Sequence, residues 1–227
     1  MARGRAANYD TQREAMLERA AELFALHGYP STSMNQVAEA CGLSKPALYH
    51  YFRDKEALLV AIAETHVQQL HALVDEVTAL PLEPRAKLRQ LILRFVEEYA
   101  DAQHAHRVLT EDVRFLKPAD RERVLAHERT VVAAFAETVA ECKPQLRGAQ
   151  LEKPLAMLLF GMINWMFTWL KPGGALDHDA IAPVVVDLFL GGLDAVAAKH
   201  SAAAPAARVT PKLARASGAR DTTRAAS

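Results

Sequence analysis

The sequence predicts an all-α protein in which an N-terminal three-helix helix-turn-helix domain is joined to a larger helical domain. Three observations favour this fold class. Apolar residues recur at spacings of three and four along most of the chain. Residues that cap helices, such as Ser33, Ser44 and Asp54, precede these apolar runs. The strict alternation of apolar and polar residues that is typical of β-strands is missing.

Four helices are predicted in the first third of the chain. Gly28 ends the first, and the Ser33-x-x-Gln36 pattern is a capping box that opens the second. Gly42 permits the tight reversal that follows, because glycine tolerates a positive φ angle. Ser44 caps the third helix, with Pro46 in its first turn, and Asp54 caps a long fourth. The predicted bounds are about 10–27, 33–40, 44–51 and 54–78.

Five more helices are expected beyond Pro81 and Pro84, which interrupt the helical pattern. The first three of these should span about 85–104, 107–116 and 119–142, and the last two about 152–171 and 178–199. The predicted division is a helix-turn-helix domain at 10–56, a larger helical domain at 57–199, and a disordered basic tail at 200–227. Residues 201–227 hold five Lys or Arg and one Asp.

Composition indicates an ordinary globular protein of a reducing compartment. The 227 residues carry no net charge, and the two cysteines, Cys41 and Cys142, match no disulfide or metal framework. Residues 2–10 contain no apolar stretch of the kind that a secretory signal needs. The apolar segment at 154–170 is shorter than the roughly 20 residues of a membrane span, so we expect a buried helix. A cytoplasmic location without membrane association is therefore predicted.

The stretch "SKPALYHYF" at 44–52 has the chemistry of a helix that enters the DNA major groove. Lys45 can donate to guanine, while Pro46 and Ala47 can contact a thymine methyl group. Tyr49, His50 and Tyr51 follow one turn later, where they can reach phosphates. Phe52 is expected to turn inward, and Lys55 lies in the first turn of the fourth helix, near N–H groups that attract a phosphate. Alternatively, the aromatic residues belong to the core and the helices are only scaffold.

Residues 28–59, "GYPSTSMNQVAEACGLSKPALYHYFRDKEALL", resemble the signature of TetR-type transcriptional repressors. The resemblance covers about residues 10–60. It implies phosphate contacts ahead of the second helix, groove-edge contacts on that helix, and base and phosphate contacts on the third. The role of His50 stays open. The implied DNA-binding residues are Thr32, Ser33, Asn35, Gln36, Ser44, Lys45, Pro46, Ala47, Tyr49, His50, Tyr51 and Lys55.

Residues 1–60 hold seven Lys or Arg and seven Asp or Glu, so net charge cannot steer this domain to DNA. Binding should depend on local donors, and Arg3 and Arg5 could add an arm on the duplex. An N-terminal arm that never touches DNA is equally compatible with the sequence. A palindromic operator would require a homodimer with two-fold symmetry. The last two helices are the expected interface, with Val184, Leu188, Gly191 and Val196 near one face; a monomer core is the alternative.

Residues 107–193 resemble TetR-type repressors of lipid and aromatic-acid breakdown, which sense acyl-CoA thioesters. A small amphipathic effector of this class is therefore expected, bound by soft and aromatic side chains with an arginine at the pocket mouth. Glu128 is expected to pair with an arginine or to bind the ligand. Each of these side chains could instead be core or solvated surface. The predicted ligand-binding residues are Phe95, Tyr99, Arg107, Phe115, Glu128, Phe135, Met157, Phe160, Trp165, Met166 and Trp169.

Two other functions are alternatives to a regulator of this kind. A helical small-molecule-binding protein or enzyme would use the first helices as scaffold only, and a repressor could respond to an unrelated hydrophobic, drug-like ligand. No catalytic, metal or cofactor motif supports an enzyme. His104-x-His106 cannot place both rings on one helical face, and His66 lies on an apolar stripe, where a core histidine is expected.

Overall fold

The computed structural model describes residues 2–170 and 174–197, and side chains from residue 9 onward. Within these ranges the chain is helical and contains no strand. Two 3-10 helices, Val113–Phe115 and Met166–Thr168, interrupt the series. The α-helices are α1 (Ala2–His27), α2 (Met34–Ala40), α3 (Lys45–Tyr51), α4 (Lys55–Thr78), α5 (Pro84–Asp101), α6 (Gln103–Asp112), α7 (Pro118–Cys142), α8 (Gln145–Ala149), α9 (Glu152–Ile163) and α10 (His178–Ala195). The expected tail at 200–227 and the side chains of Arg3 and Arg5 lie outside the described residues.

The local signals at the first helices are confirmed in atomic detail. Gly28 and Gly42 both have positive φ, at 82° and 65°. The Ser33 hydroxyl accepts from the Gln36 N–H, and the Gln36 Oε1 accepts from the Ser33 N–H at 2.8 Å, which completes the capping box. Ser44 caps α3 in the same way through the Ala47 N–H, and Asp54 caps α4 through the Ala57 N–H. Each turn of the helix-turn-helix unit is therefore determined by its own sequence.

Boundaries farther along the chain differ from the predicted ones. The predicted sixth helix begins earlier, at Gln103, and its last turn is a 3-10 helix. The predicted eighth helix, which is α9, ends at Ile163 instead of near 171. The short helix α8 was not predicted; it ends at Gln150, which has a left-handed φ of 54° without being glycine. None of these ends carries a glycine or proline signal, so apolar periodicity alone placed them wrongly.

Helix α4 is the central element of the fold. It packs against α1, α5, α6 and α7, and eleven of its residues are buried. By length and apolar composition α4 could cross a membrane, but most of that window is buried inside the protein. A buried core helix accounts for its composition, because all its apolar faces have partners within the fold.

The first three helices contact the remainder of the chain through α1 and the start of α4. Helix α1 packs against both α4 and α6. Near the 3-10 helix, the Phe115 ring stacks on Tyr29 at a centroid distance of 5.6 Å, and Lys117 pairs with Glu56 at 2.6 Å. A shift of α4 or α6 would therefore displace residues that the helix-turn-helix unit packs against.

Helices α9 and α10 form the opposite end of the molecule. Helix α10 packs on α5, and Arg85 of α5 pairs with Asp194 at 2.6 Å. The Lys143 ammonium donates to the carbonyl oxygens of Leu193, Asp194 and Val196, which satisfies the last turn of α10. These contacts hold one face of α10 against the core and leave the other face outward.

Candidate DNA-binding surface and ligand site

Helix α3 presents polar and slim side chains on its outer face. Lys45, Pro46, Tyr49 and His50 are exposed together with Ser44, and Ala47 is half-exposed. The inner face is anchored by Leu48 and Phe52, both buried, so the predicted inward turn of Phe52 is confirmed. A helix held by two apolar anchors with donors at its exposed start has the form that the major groove accepts.

The start of α2 lies beside α3 and shares its surface. Asn35, Lys45 and Tyr49 line one open concavity with a volume of about 500 Å³. Ser33, Asn35 and Gln36 are exposed. Because the Gln36 oxygen serves the helix cap, the amide NH₂ of this side chain is the part left to donate outward. The Lys45 ammonium lies 5.8 Å from the centre of the Tyr49 ring, which keeps the two side chains together.

The Thr32 and Tyr51 side chains are not placed for the phosphate contacts predicted for them. The Thr32 hydroxyl is buried and donates to the Gly28 carbonyl at 3.0 Å. Tyr51 donates its hydroxyl to Gln12 Oε1 at 2.8 Å and stacks on Tyr9 at 4.6 Å between centroids. Thr32 holds the turn that follows α1, and Tyr51 holds α3 against α1. Both side chains therefore have a structural role.

Lys55 departs furthest from the phosphate contact that the sequence predicts for it. Its ammonium donates to three backbone carbonyl oxygens, those of Tyr29 and Thr32 at 2.8 Å and that of Pro30 at 3.1 Å. It also lies 4.4 Å from the centre of the Tyr29 ring, and burial lowers the pKa of its amine. All three N–H donors of the ammonium are thus used inside the protein. Lys55 fixes the turn between α1 and α2 onto the start of α4 and is not free to bind a phosphate.

The predicted ligand-binding residues divide into two groups, of which the first is a closed aromatic core. Phe135 contacts both Phe95 and Phe160 edge to face, with centroids 4.8 Å apart in each pair. Tyr99 packs on Phe95 at 5.8 Å, and Met166 is also buried. These residues come from α5, α7, α9 and the 3-10 helix after α9. The structure therefore brings together five of the predicted pocket residues.

The second group of predicted ligand-binding residues lies outside this aromatic core. Met157, Trp165 and Trp169 are 52%, 59% and 52% exposed and face outward at the α9 end. Phe115 is exposed and packs on Tyr29 at the junction with α1. The sequence pattern could not separate an inward from an outward apolar face on a helix that is apolar all round. The structure places these four side chains outside the aromatic core, and their part in ligand binding stays a prediction.

Arg107 and Glu128 lie at the border of the aromatic core. The Arg107 Nε donates to Glu111 at 3.0 Å, and its guanidinium carbon lies 5.9 Å from the centre of the Phe167 ring. Burial raises the pKa of the Glu128 carboxyl. Burial, and next the charge of Glu128, raise the pKa of the Tyr99 hydroxyl. Arg107 thus offers a partly exposed cation beside the core, and Glu128 an acid close to Tyr99.

Sequence reasoning missed a pair of buried histidines next to this core. His66 of α4 and His106 of α6 are 1% and 3% exposed, and their facing nitrogens, Nε2 and Nδ1, are 3.4 Å apart. Burial lowers the pKa of His66 to about 4 and that of His106 to about 3. The His106 ring stacks on Tyr99 with centroids 3.6 Å apart. The only sequence signal was the position of His66 on an apolar stripe.

An exposed apolar face runs along α9 and α10. We call it the α9–α10 face and define it by Met157, Leu158, Gly161, Met162, Trp165, Val184, Leu188 and Gly191. Leu158 and Leu188 are each 64% exposed. A Cβ atom added at Gly161 or Gly191 would meet nothing within 4 Å. Contiguous apolar surface of this kind marks an interaction site.

Both parts of the chain are similar to known proteins. The family description "Bacterial regulatory proteins, tetR family" matches residues 16–62, and "Tetracyclin repressor-like, C-terminal domain" matches residues 81–193. A TetR-family transcriptional regulator from Bordetella parapertussis 12822 superposes with a TM-score of 0.75 and 35% identity, over 82% of this chain and 97% of that one.

Two further relatives are informative about ligands and regulation. The HTH-type transcriptional repressor KstR2 of Rhodococcus jostii is 26% identical over 80% of this chain and 91% of its own. The structure of AibR in complex with isovaleryl coenzyme A and operator DNA is 26% identical, with a TM-score of 0.69, over 78% of this chain and 97% of that one.

The role of Lys55 predicts the effect of removing its charge. Lys55→Met keeps the aliphatic stem but leaves three carbonyl oxygens without their donor. We expect the free energy of unfolding to fall by about 1–3 kcal/mol, because this is the cost of losing hydrogen bonds to a charged group. Urea unfolding measures it, with exposed Lys153→Met as the control. Unchanged stability together with weaker DNA binding would restore the phosphate role.

Proposed function

Because this chain belongs to the TetR family of bacterial transcriptional regulators, we propose that it represses transcription as a homodimer on a palindromic operator and is released by an acyl-CoA thioester. Members of this family bind DNA and small ligands rather than catalyse reactions, so the enzyme alternative is excluded. DNA binding, pairing of two chains and release from the operator each depend on a different part of the molecule. A cytoplasmic location belongs to the same proposal.

The exposed start of α3 is the observation that supports the DNA-binding residues. Lys45, Pro46 and Ala47 would contact bases, with Asn35 and Gln36 at the groove edge. Ser33, Ser44, Tyr49 and His50 lie on the same surface and would contact phosphates. Thr32, Tyr51 and Lys55 are left out, because their polar groups are used within the fold.

The α9–α10 face supports the homodimer. Two copies of one apolar face meet in a two-fold arrangement, and the open space above Gly161 and Gly191 allows close approach of helices. A palindromic operator presents two half-sites, which need two helix-turn-helix units at a fixed separation. A dimer would also explain why Met157, Trp165 and Trp169 point outward, since aromatic and methionine side chains are enriched in interfaces.

The aromatic core with Arg107 at its border supports the acyl-CoA effector. Phe95, Phe135 and Phe160 would surround an acyl chain, and Arg107 offers a cation to an anionic head group. AibR, a structural relative, is described in complex with isovaleryl coenzyme A. In this structure the aromatic rings pack on one another, so a ligand would have to separate them. Such rearrangement in the core is a direct route to moving α4, which packs on α5, α6 and α7.

Base recognition should depend on Lys45. Lys45→Ala should cost about 1–3 kcal/mol in binding to the preferred site and relax the preference at one base pair, because a base-edge contact is lost. Tyr49→Phe should weaken all sequences about equally, as loss of a phosphate contact does. The measurement is selection of genomic DNA fragments by the purified protein, followed by titration of the selected sites. Unaltered affinity and base preference in Lys45→Ala would exclude the groove assignment.

The next prediction tests the α9–α10 face. Leu188→Glu places a charge in the centre of the proposed interface, so we expect a monomer by light scattering and loss of operator binding. Leu26→Glu is the matched control, because Leu26 is 61% exposed but lies on α1, away from this face. A dimer that survives Leu188→Glu would place the interface on another surface.

The effector prediction uses the charge of Arg107. Octanoyl-CoA and benzoyl-CoA should dissociate the operator complex, and free octanoate should do so less effectively. Arg107→Met should raise the acyl-CoA concentration for half-release about tenfold, which corresponds to about 1.4 kcal/mol. Exposed Arg121→Met should leave it unchanged. If no acyl-CoA acts while an uncharged hydrophobic drug does, the effector class is wrong and the DNA-binding function stands.

A further inference from the structure

A cleft of about 760 Å³ lies between α1, α4 and α6, outside the aromatic core. One wall is α1, which belongs to the helix-turn-helix unit, and the other walls are the middle of α4 and the start of α6. Its volume is within the range of about 300–1,000 Å³ that small-molecule sites have. The cleft therefore has the size of a ligand site and joins the two parts of the molecule.

The rim of this cleft is acidic. Glu14, Glu18 and Glu22 of α1 line it together with Asp101 at the end of α5. Arg19 is the one guanidinium among the lining residues, and it is already paired with Glu22 at 2.9 Å. The remaining carboxylates disfavour an anionic acyl-CoA and attract a cation. The electrostatics separate this cleft from the effector site proposed above.

A buried polar group lies at the base of the cleft. His66 is 1% exposed and lines the cleft, and its Nδ1 makes no hydrogen bond of normal geometry, although the Gln69 side chain, which lines the same cleft, is near enough to interact with the ring. The Glu98 carboxylate oxygen is 3.9 Å from this nitrogen, too far for a hydrogen bond. When Nε2 carries the proton and donates to His106, Nδ1 presents a lone pair. An unsatisfied buried acceptor of this kind is costly, and a ligand N–H would remove the cost.

Apolar side chains complete the lining. Leu17 and Ala21 of α1 and Ile62 of α4 are buried between the acidic rim and the core. A compound that fills the cleft would therefore contact carboxylates at its charged end and alkyl groups along its body. It would also touch α1 and α4 at once.

We propose that the cleft between α1, α4 and α6 is a second ligand site, which binds an organic amine cation with a small apolar body. The ammonium lies among Glu14, Glu18 and the His66 nitrogen, and the apolar body packs on Leu17 and Ile62. Bound there, the cation links the helix-turn-helix unit to α4 and α6 and stabilises their contact. This site is separate from the aromatic core that the effector occupies.

The test uses three probes with one body and three charges: 4-phenylbutylamine, 4-phenylbutanol and 4-phenylbutyrate. Isothermal titration of the full-length protein should show the amine binding at least tenfold more tightly than the alcohol, and the carboxylate no better than the alcohol. The double variant Glu14→Gln with Glu18→Gln should bring amine affinity to within threefold of that of the alcohol. Both residues are exposed on α1, so folding should be unaffected.

Two controls decide where the amine binds. Glu39→Gln and Glu141→Gln change exposed carboxylates outside the cleft and should leave amine binding unaltered. Arg107→Met, at the border of the aromatic core, should also leave it unaltered. The proposal is wrong if the three probes bind equally or not at all up to millimolar concentration. It is equally wrong if the double variant keeps the preference for the amine, or if Arg107→Met abolishes amine binding.

Discussion

The ammonium group of Lys55 connects the part of the molecule that binds DNA to the part that binds ligands. It lies in the first turn of α4 and donates to three carbonyl oxygens of the turn that joins α1 to α2. The same turn is held from the other side by the Thr32 hydroxyl and by Phe115 stacked on Tyr29. The turn between α1 and α2 is thus attached to the start of α4, so we expect a displacement of α4 to move the helix-turn-helix unit with it.

The other end of this transmission is the polar contact of α4 with α6. His66 and His106 stay neutral at pH 7, because burial lowers their pKa values to about 4 and 3, and a neutral pair can share one hydrogen bond. His106 stacks on Tyr99, which packs on the aromatic core. A ligand that separates the core rings therefore acts on α4 through side chains in contact. It can release DNA only to the extent that it binds the displaced arrangement more tightly.

The sequence was sufficient for the features that local chemistry determines. Gly28, Gly42 and the cap at Ser33 each specify their turn without help from distant residues, so the helix-turn-helix unit and its inward Phe52 were predictable. Lys55 and Thr32 were misjudged because their partners are carbonyl oxygens of a turn whose position in space depends on the whole fold. Trp165 and Trp169 were misjudged for a different reason. Hydrophobicity cannot show whether a side chain faces its own core or points outward, and only the packing of α9 on α7 and α10 distinguishes the two.

The balance of charge in the first helices bears on the proposed pairing of two chains. The first 60 residues carry equal numbers of acidic and basic side chains, so one helix-turn-helix unit has only a few local donors for DNA. Two units on one palindrome act together, and their joint affinity depends on a separation of about 34 Å between successive major grooves. In the proposed dimer, that separation would depend on the α9–α10 face at one end and on the Lys55 contact at the other. A small rotation of α4 between these points would then change the spacing of both recognition helices at once, so that a modest rearrangement in the core would release the operator.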